Sequence, residues 1–228
     1  MSNNRFVTPQ TDNQPTVVLV HGLWMNGTEM QLLALRLRRS AYRTLLFRYR
    51  TVHASVEESS HDLWHFLEQQ FGPMMRHALP GQVHLVCHSL GGMVALEMLH
   101  RYPQARIGRM VAMGTPFRGN VAAQKIAQWT WGRVVLGKSL TRALKGGGFA
   151  HAPPGREIGI LAGDHSLLGM GRKLWGIGEP NDGTIAVSET YLDGAKAHQT
   201  LPIIHMGLVF SEHAFQLVQK FLTTGTFT

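Results

Sequence analysis

Short apolar runs alternate along this chain with longer stretches in which hydrophobic residues recur every three or four positions. The runs predict strands near 16–20, 43–48, 82–87, 107–113, 157–162 and 201–205. A short run that is apolar throughout marks a strand buried on both faces, as in a parallel sheet. Between the runs, Thr28-Glu29-Met30-Gln31 reads as a capping box opening a helix to about Arg39, and Ser55-Val56-Glu57-Glu58 opens another to about Phe71. A third helix is expected from Ser89 to Arg101, where Tyr102-Pro103 stops it, and a last one from about Leu208 to Leu222. Strands alternating with amphipathic helices predict an α/β fold: a mostly parallel central sheet of about six strands with helices on both faces.

One stretch breaks the rhythm. Residues 117–154 are too long for a simple crossover and hold Trp129, Trp131, Gly146-Gly147-Gly148 and Pro153-Pro154. They read as a small helical cap inserted at a strand's carboxyl end, with Val121, Ile126, Trp129 and Val134 as its apolar face and the glycine triplet as a hinge. The competing reading is that the aromatics complete the core and the triplet is a plain loop. No repeat or linker divides the rest, so one domain is expected over 1–228, with a polar tail at 1–14.

Composition narrows the class. A 228-residue chain with 44% hydrophobic and 16% charged residues is globular, not disordered or fibrous. The single cysteine, Cys87, excludes an internal disulfide and fits a reducing compartment. Residues 1–14 lack a basic start followed by an apolar run, and no stretch approaches the roughly 20 apolar residues of a membrane span. The expected location is cytoplasmic.

The candidate chemistry sits at the strand ends. Val83-His84-Leu85-Val86-Cys87-His88-Ser89-Leu90-Gly91-Gly92 is a strand, a sharp turn and a helix start, the arrangement that exposes a serine at the top of a sheet. Such a turn admits only small side chains two residues away. Gly91 meets that need, and Cys87 stands at the other small position. The run Val17–Val20 ends in His21-Gly22, so the amides of Leu23 and Leu90 are placed to form an oxyanion hole. Asn181-Asp182-Gly183-Thr184 is a turn following the strand at 157–162. The run 201–205 ends in His205.

Taken together, His21-Gly22, Cys87-His88-Ser89-Leu90-Gly91-Gly92, Gly114-Thr115-Pro116-Phe117-Arg118-Gly119, Asn181-Asp182-Gly183-Thr184 and His205-Met206-Gly207-Leu208 resemble an α/β-hydrolase of the compact bacterial lipase and esterase type, from about Thr16 to Leu222. The order Ser89, Asp182, His205 is that superfamily's chain order. The resemblance implies Ser89 as nucleophile, Asp182 as acid and His205 as base, and a serine hydrolase cleaving carboxylic esters through an acyl-enzyme. An acyltransferase or thioesterase using the same triad is the nearest alternative. A non-catalytic ligand-binding protein on the same fold is the alternative from another class. The implied partner is a small-molecule ester, with no cofactor and no metal. Trp24, Thr115, Trp129 and Trp131 are the expected substrate contacts. Cys87, where the pattern usually has Gly, is the departure.

Each role has a competitor. Asp164 follows the 157–162 strand more closely than Asp182, but in an ordinary loop. Among thirteen histidines, His198 and His213 flank His205, while His21 and His88 read as orienting loops. His61 and His65 have the i, i+4 spacing of a metal pair, yet lack a third ligand and read as a solvated helix face. Cys87, two residues off the turn's tip, is expected to be buried and inert.

Charge adds a last feature. The net charge is +8, and between Glu97 and Glu157 there are ten Lys or Arg (Arg101, Arg106, Arg109, Arg118, Lys125, Arg133, Lys138, Arg142, Lys145, Arg156) and no acid. A second acid-free run, Met30 to Val56, carries six arginines. Such fields favour anionic substrates or transient contact with an anionic membrane or lipid surface. No nucleic-acid motif accompanies them, and solubility alone would also explain the excess.

Overall fold

A computed structural model describes residues 14–72, 75, 82–138, 149 and 151–228. The expected tail and the glycine triplet therefore lie outside the described residues, apart from Gln14.

The apolar runs form strands β1 (Thr16–Val20), β2 (Arg43–Phe47), β3 (Val83–His88), β4 (Arg109–Met113), β5 (Glu157–Gly163) and β6 (Ala197–Leu201). They pair in the order β2-β1-β3-β4-β5-β6, every pair parallel. Helices α1 (Gln31–Arg39), α2 (Val56–Phe71), α3 (Leu90–Arg101) and α8 (Glu212–Thr224) cover the sheet. Alternate residues of one strand face opposite sides. Val18, Val20, Leu85 and Cys87 pack with α2 and α3, whereas Val17, Leu19 and Val86 pack with α1 and α8. The parallel sheet covered on both faces is borne out.

Two details differ from the sequence pattern. Strand β6 is 197–201, not 201–205. It is one of the two edge strands, pairs only with β5 and is mostly half-buried, so it does not need an unbroken apolar run. The apolar Ile203 and Ile204 fall after Pro202, beyond the strand. The Thr28–Gln31 capping box does not form. The segment opens as a 3-10 turn behind Gly27, whose left-handed backbone takes the cap position, and the Glu29 carboxylate accepts from the Gly27 amide at 3.1 Å. The Ser55–Glu58 box does form, with both reciprocal hydrogen bonds.

The strand order positions the site. From β1 the chain steps to β2 on one side, then crosses to β3 on the other. The loops after β1 and β3 thus diverge at their carboxyl ends and leave a crevice, where ligands bind in open parallel sheets. Between β4 and β5 come α4 (Val121–Ala127) and α5 (Gly132–Leu136). Helix α6 (Met170–Trp175) follows β5, and the short α7 (Gly207–Phe210) precedes α8. No described helix is long and apolar enough to cross a membrane.

Candidate active site

Ser89 stands at the tip between β3 and α3 with φ 52° and ψ −124°, a backbone conformation that a residue with a side chain rarely adopts. Strain of this kind persists only where neighbours hold it. The Ser89 amide donates to the Met113 carbonyl at 2.9 Å, and its carbonyl accepts from the Gly92 amide at 3.0 Å and from Thr115 Oγ1 at 2.9 Å. A side chain at Gly91 would lie 2.3 Å from the Val20 carbonyl oxygen, and one at Gly92 would lie 2.1 Å from Thr115 Oγ1. Both glycines are what lets the turn seat against β1 and β4. We expect Gly91→Ala to cost about 3 kcal/mol or more in chemical denaturation, because the obstructing atom is backbone and cannot swing away.

His205 lies in the loop four residues beyond β6. Its amide donates to the Asp182 carbonyl at 2.9 Å, and its Nδ1 is 2.6 Å from Asp182 Oδ2. A carboxylate accepts, so Nδ1 carries the proton and Nε2 keeps its lone pair. The Asp182 side chain is only 1% exposed, and its other oxygen accepts from the amides of Thr184 and Ile185 at 3.0 and 2.7 Å. The turn that holds this carboxylate is thus the one the sequence marked. Two further glycines make room: a side chain at Gly163 would meet Asp182 Cβ at 2.8 Å, and one at Gly114 would meet the His205 ring at 3.0 Å. Asp164 is exposed.

Ser89 and His205 face one cavity of about 280 Å³, together with Leu23, Trp24, Leu90, Met93, Ile126, Leu136 and Trp175. Leu90 opens α3, and first-turn amides have no partner within a helix. The Thr115 hydroxyl fixes the peptide between Ser89 and Leu90 and so aims the Leu90 N–H. The loop bearing Leu23 is held by His21, whose ring stacks on Tyr49 at 4.6 Å while Tyr49 donates its hydroxyl to the His21 carbonyl at 2.8 Å.

His88 lines the same cavity, beside His205. Its ring is 4.7 Å from that of His205, and its Nε2 donates to the His205 carbonyl at 3.3 Å. Burial, and then repulsion from His205, lowers its pKa to about 3. His88 is therefore neutral in the folded protein near neutral pH. The unfolded chain takes up that proton below about 6.5, so the stability held by neutral His88 is complete above 6.5 and is lost as pH falls toward 3. At about 1.4 kcal/mol per pH unit, denaturation measured at pH 6.5 and pH 4 should differ by about 3 kcal/mol from this group alone. His88→Gln, which has no titrating group, should flatten the profile. Burial lowers His21 and His198 as well, so the flattening is partial.

The expected substrate contacts divide. Trp24 lines the cavity and donates its indole N–H to the Val135 carbonyl at 2.9 Å. Thr115 is fully buried beneath the turn and positions backbone, so it does not reach the cavity. Trp129 and Trp131 are 60% and 74% exposed and lie outside the cavity lining. Of the apolar face expected over the pocket, only Ile126 lines it, joined by Ala122, Ala123 and Leu136. Val121, Trp129 and Val134 are exposed, because the short α4 and α5 turn only one side to the cavity.

Two contributors had no signal in the sequence. Trp175 reaches the cavity from α6, whose six residues are too few to show a helical period. Glu189, nearly buried, accepts from the Val121 and Ala186 amides and from Asn120 Nδ2, tying the start of α4 to the loop before β6. His61 and His65 touch each other, Nε2 to Nε2 at 2.9 Å. Among the described residues no group of three or more His, Cys, Asp or Glu could hold a metal ion. Cys87 is buried, and burial pushes its thiol far above the usual range, so it is no nucleophile.

A family model described as the alpha/beta hydrolase family matches residues 17–196. No curated protein sequence matches the chain. Among solved structures, the mature form of a lipase from Bacillus licheniformis is similar at 18% identity and a TM-score of 0.74, covering 93% of each chain. A metagenomic carboxyl esterase is similar at 18% identity and 0.62, over 86% of this chain and 65% of its own. A soluble variant of monoglyceride lipase from Saccharomyces cerevisiae is similar at 14% and 0.64, over 97% and 90%. At these identities the likeness is one of fold.

Proposed function

Because the chain belongs to the alpha/beta hydrolase family, we propose that it cleaves carboxylic esters of small molecules through an acyl-enzyme on Ser89. The observation that carries this reading is the Asp182–His205 pair sharing a cavity with a serine on a strained turn. His205 Nε2 takes the proton from Ser89 Oγ as the oxygen attacks the ester carbonyl. The oxyanion rests on the amides of Leu23 and Leu90, near the positive end of α3. The imidazolium, stabilised by Asp182, returns the proton to the departing alkoxide. Water, deprotonated by His205, then releases the acid and restores Ser89.

The cavity is small and apolar, below the roughly 300–1,000 Å³ of most ligand pockets. That supports a short or medium acyl chain. The part of the insertion at α4 and α5 acts as a cap by forming one wall, through Ala122, Ala123, Ile126 and Leu136. With p-nitrophenyl esters of graded length, kcat/KM should rise until the cavity is filled and then fall. Ile126→Ala should move the optimum to a longer chain, changing the long-to-short ratio by about 10-fold. No turnover of any ester by the purified protein would overturn the reading.

A further inference from the structure

Ten of the fourteen large apolar side chains exposed among the described residues sit on three segments: the loop at Trp24, residues 121–136 with α4, α5 and the turn between them, and residues 167–175. These segments touch. Trp24 is hydrogen-bonded to Val135, the rings of Trp129 and Trp175 are 6.2 Å apart, and α4 packs on α6. Trp24, Ile126, Leu136 and Trp175 line the cavity, so the exposed residues form a collar around its mouth. Leu168, 79% exposed, is held outward with φ 51° and ψ 22°. A leucine held in that strained conformation while facing water gains nothing from burial within the fold.

The collar is also basic. Residues 121–138 and 165–177 carry five Lys or Arg and no acid, with Asp164 and Glu179 only at the margin. Lys125, Lys138, Arg172 and Lys173 are exposed there. Outside the collar, Arg36 pairs with Glu212, Arg101 with Glu97, Arg109 with Glu157 and Arg118 with Asp193.

We propose that this collar docks the cavity mouth on an anionic phospholipid surface. Apolar side chains ringed by Lys and Arg, with exposed tryptophans among them, suit the boundary between acyl chains and headgroups. A second copy of the chain fits less well, since a two-fold contact would set the same basic residues against themselves. Docking does not depend on the hydrolytic reading; where both hold, the ester enters from the lipid phase.

The test uses the full chain carrying Ser89→Ala, so that vesicles stay intact. It is floated with vesicles of phosphatidylcholine alone or mixed with phosphatidylglycerol. Binding to the mixed vesicles only, with a blue shift of tryptophan fluorescence, is expected. Neutralising two charges, Arg172→Gln with Lys173→Gln, should weaken binding about 25-fold at low salt, or fivefold for each charge. That difference should shrink in about 0.5 M salt. Val134→Ser with Leu168→Ser should weaken binding about 10-fold or more. The same pair in the Ser89 protein should leave turnover of dissolved p-nitrophenyl acetate within about twofold, because neither residue lines the cavity. Equal binding to both vesicles, indifference to both pairs of substitutions, or a dimer that they disrupt in place of vesicle binding would overturn the proposal. Absence of turnover in the Ser89 protein would instead count against hydrolysis and leave the binding result standing.

Discussion

Ser89→Ala is expected to abolish ester hydrolysis, lowering kcat about a million-fold. The loss is this large because the hydroxyl, its base and the base's partner act as a unit; without Oγ, the lone pair on His205 Nε2 has no nucleophile to activate. The substitution should leave the fold intact. The hydrogen bonds that hold the turn run from Ser89's own amide and carbonyl to Met113, Gly92 and Thr115, and Ala keeps them all. The measurement is kcat for both purified proteins, with a fluorophosphonate probe and peptide mapping on the unaltered one. Labelling should fall on Ser89 alone. Activity near the unaltered level in a folded Ser89→Ala protein would end the serine mechanism.

Asp182→Asn should cost about 10,000-fold in kcat, while Asp164→Asn should cost little. Asn can keep the carbonyl oxygen that accepts from Thr184 and Ile185, so the turn survives. Its NH2 then faces His205 Nδ1 as a donor, which forces the imidazole into the tautomer that presents N–H to the serine. The base becomes a group with no lone pair to offer. Circular dichroism and kcat on both variants decide the matter. A folded Asp164→Asn protein that is the more damaged of the two would reassign the acid.

Much of the arrangement was legible in the chain. Five strands lie within a residue or two of their apolar runs; the four interior ones must be apolar because both their faces are buried, and edge strand β2 is marked by Leu45, Leu46 and Phe47. The sixth was displaced by four residues, because an edge strand with one partner need not be apolar throughout. The Ser89 turn, the Leu90 helix start and the Asn181–Thr184 turn were marked by local chemistry, with small residues and Asx turns where the backbone bends sharply. Trp129 and Trp131 misled for a physical reason. Apolar bulk in an insertion shows that a side chain has surface to cover, but not whether it turns toward the cavity or toward a partner.

By itself the sequence determined what is set by spacing along the chain: the alternation of strand and helix, the residue types at the strand ends, the order Ser89, Asp182, His205, and the uneven charge. Tertiary structure decided what depends on atoms far apart in the chain. It joined Asp182 to His205 across 23 residues and left Asp164 in solvent. It made Thr115 a brace for the Ser89 peptide. It paired Arg109 and Arg118 with carboxylates outside their own acid-free run. Periodicity reports which face of an element is buried, whereas only packing settles which distant group that face meets.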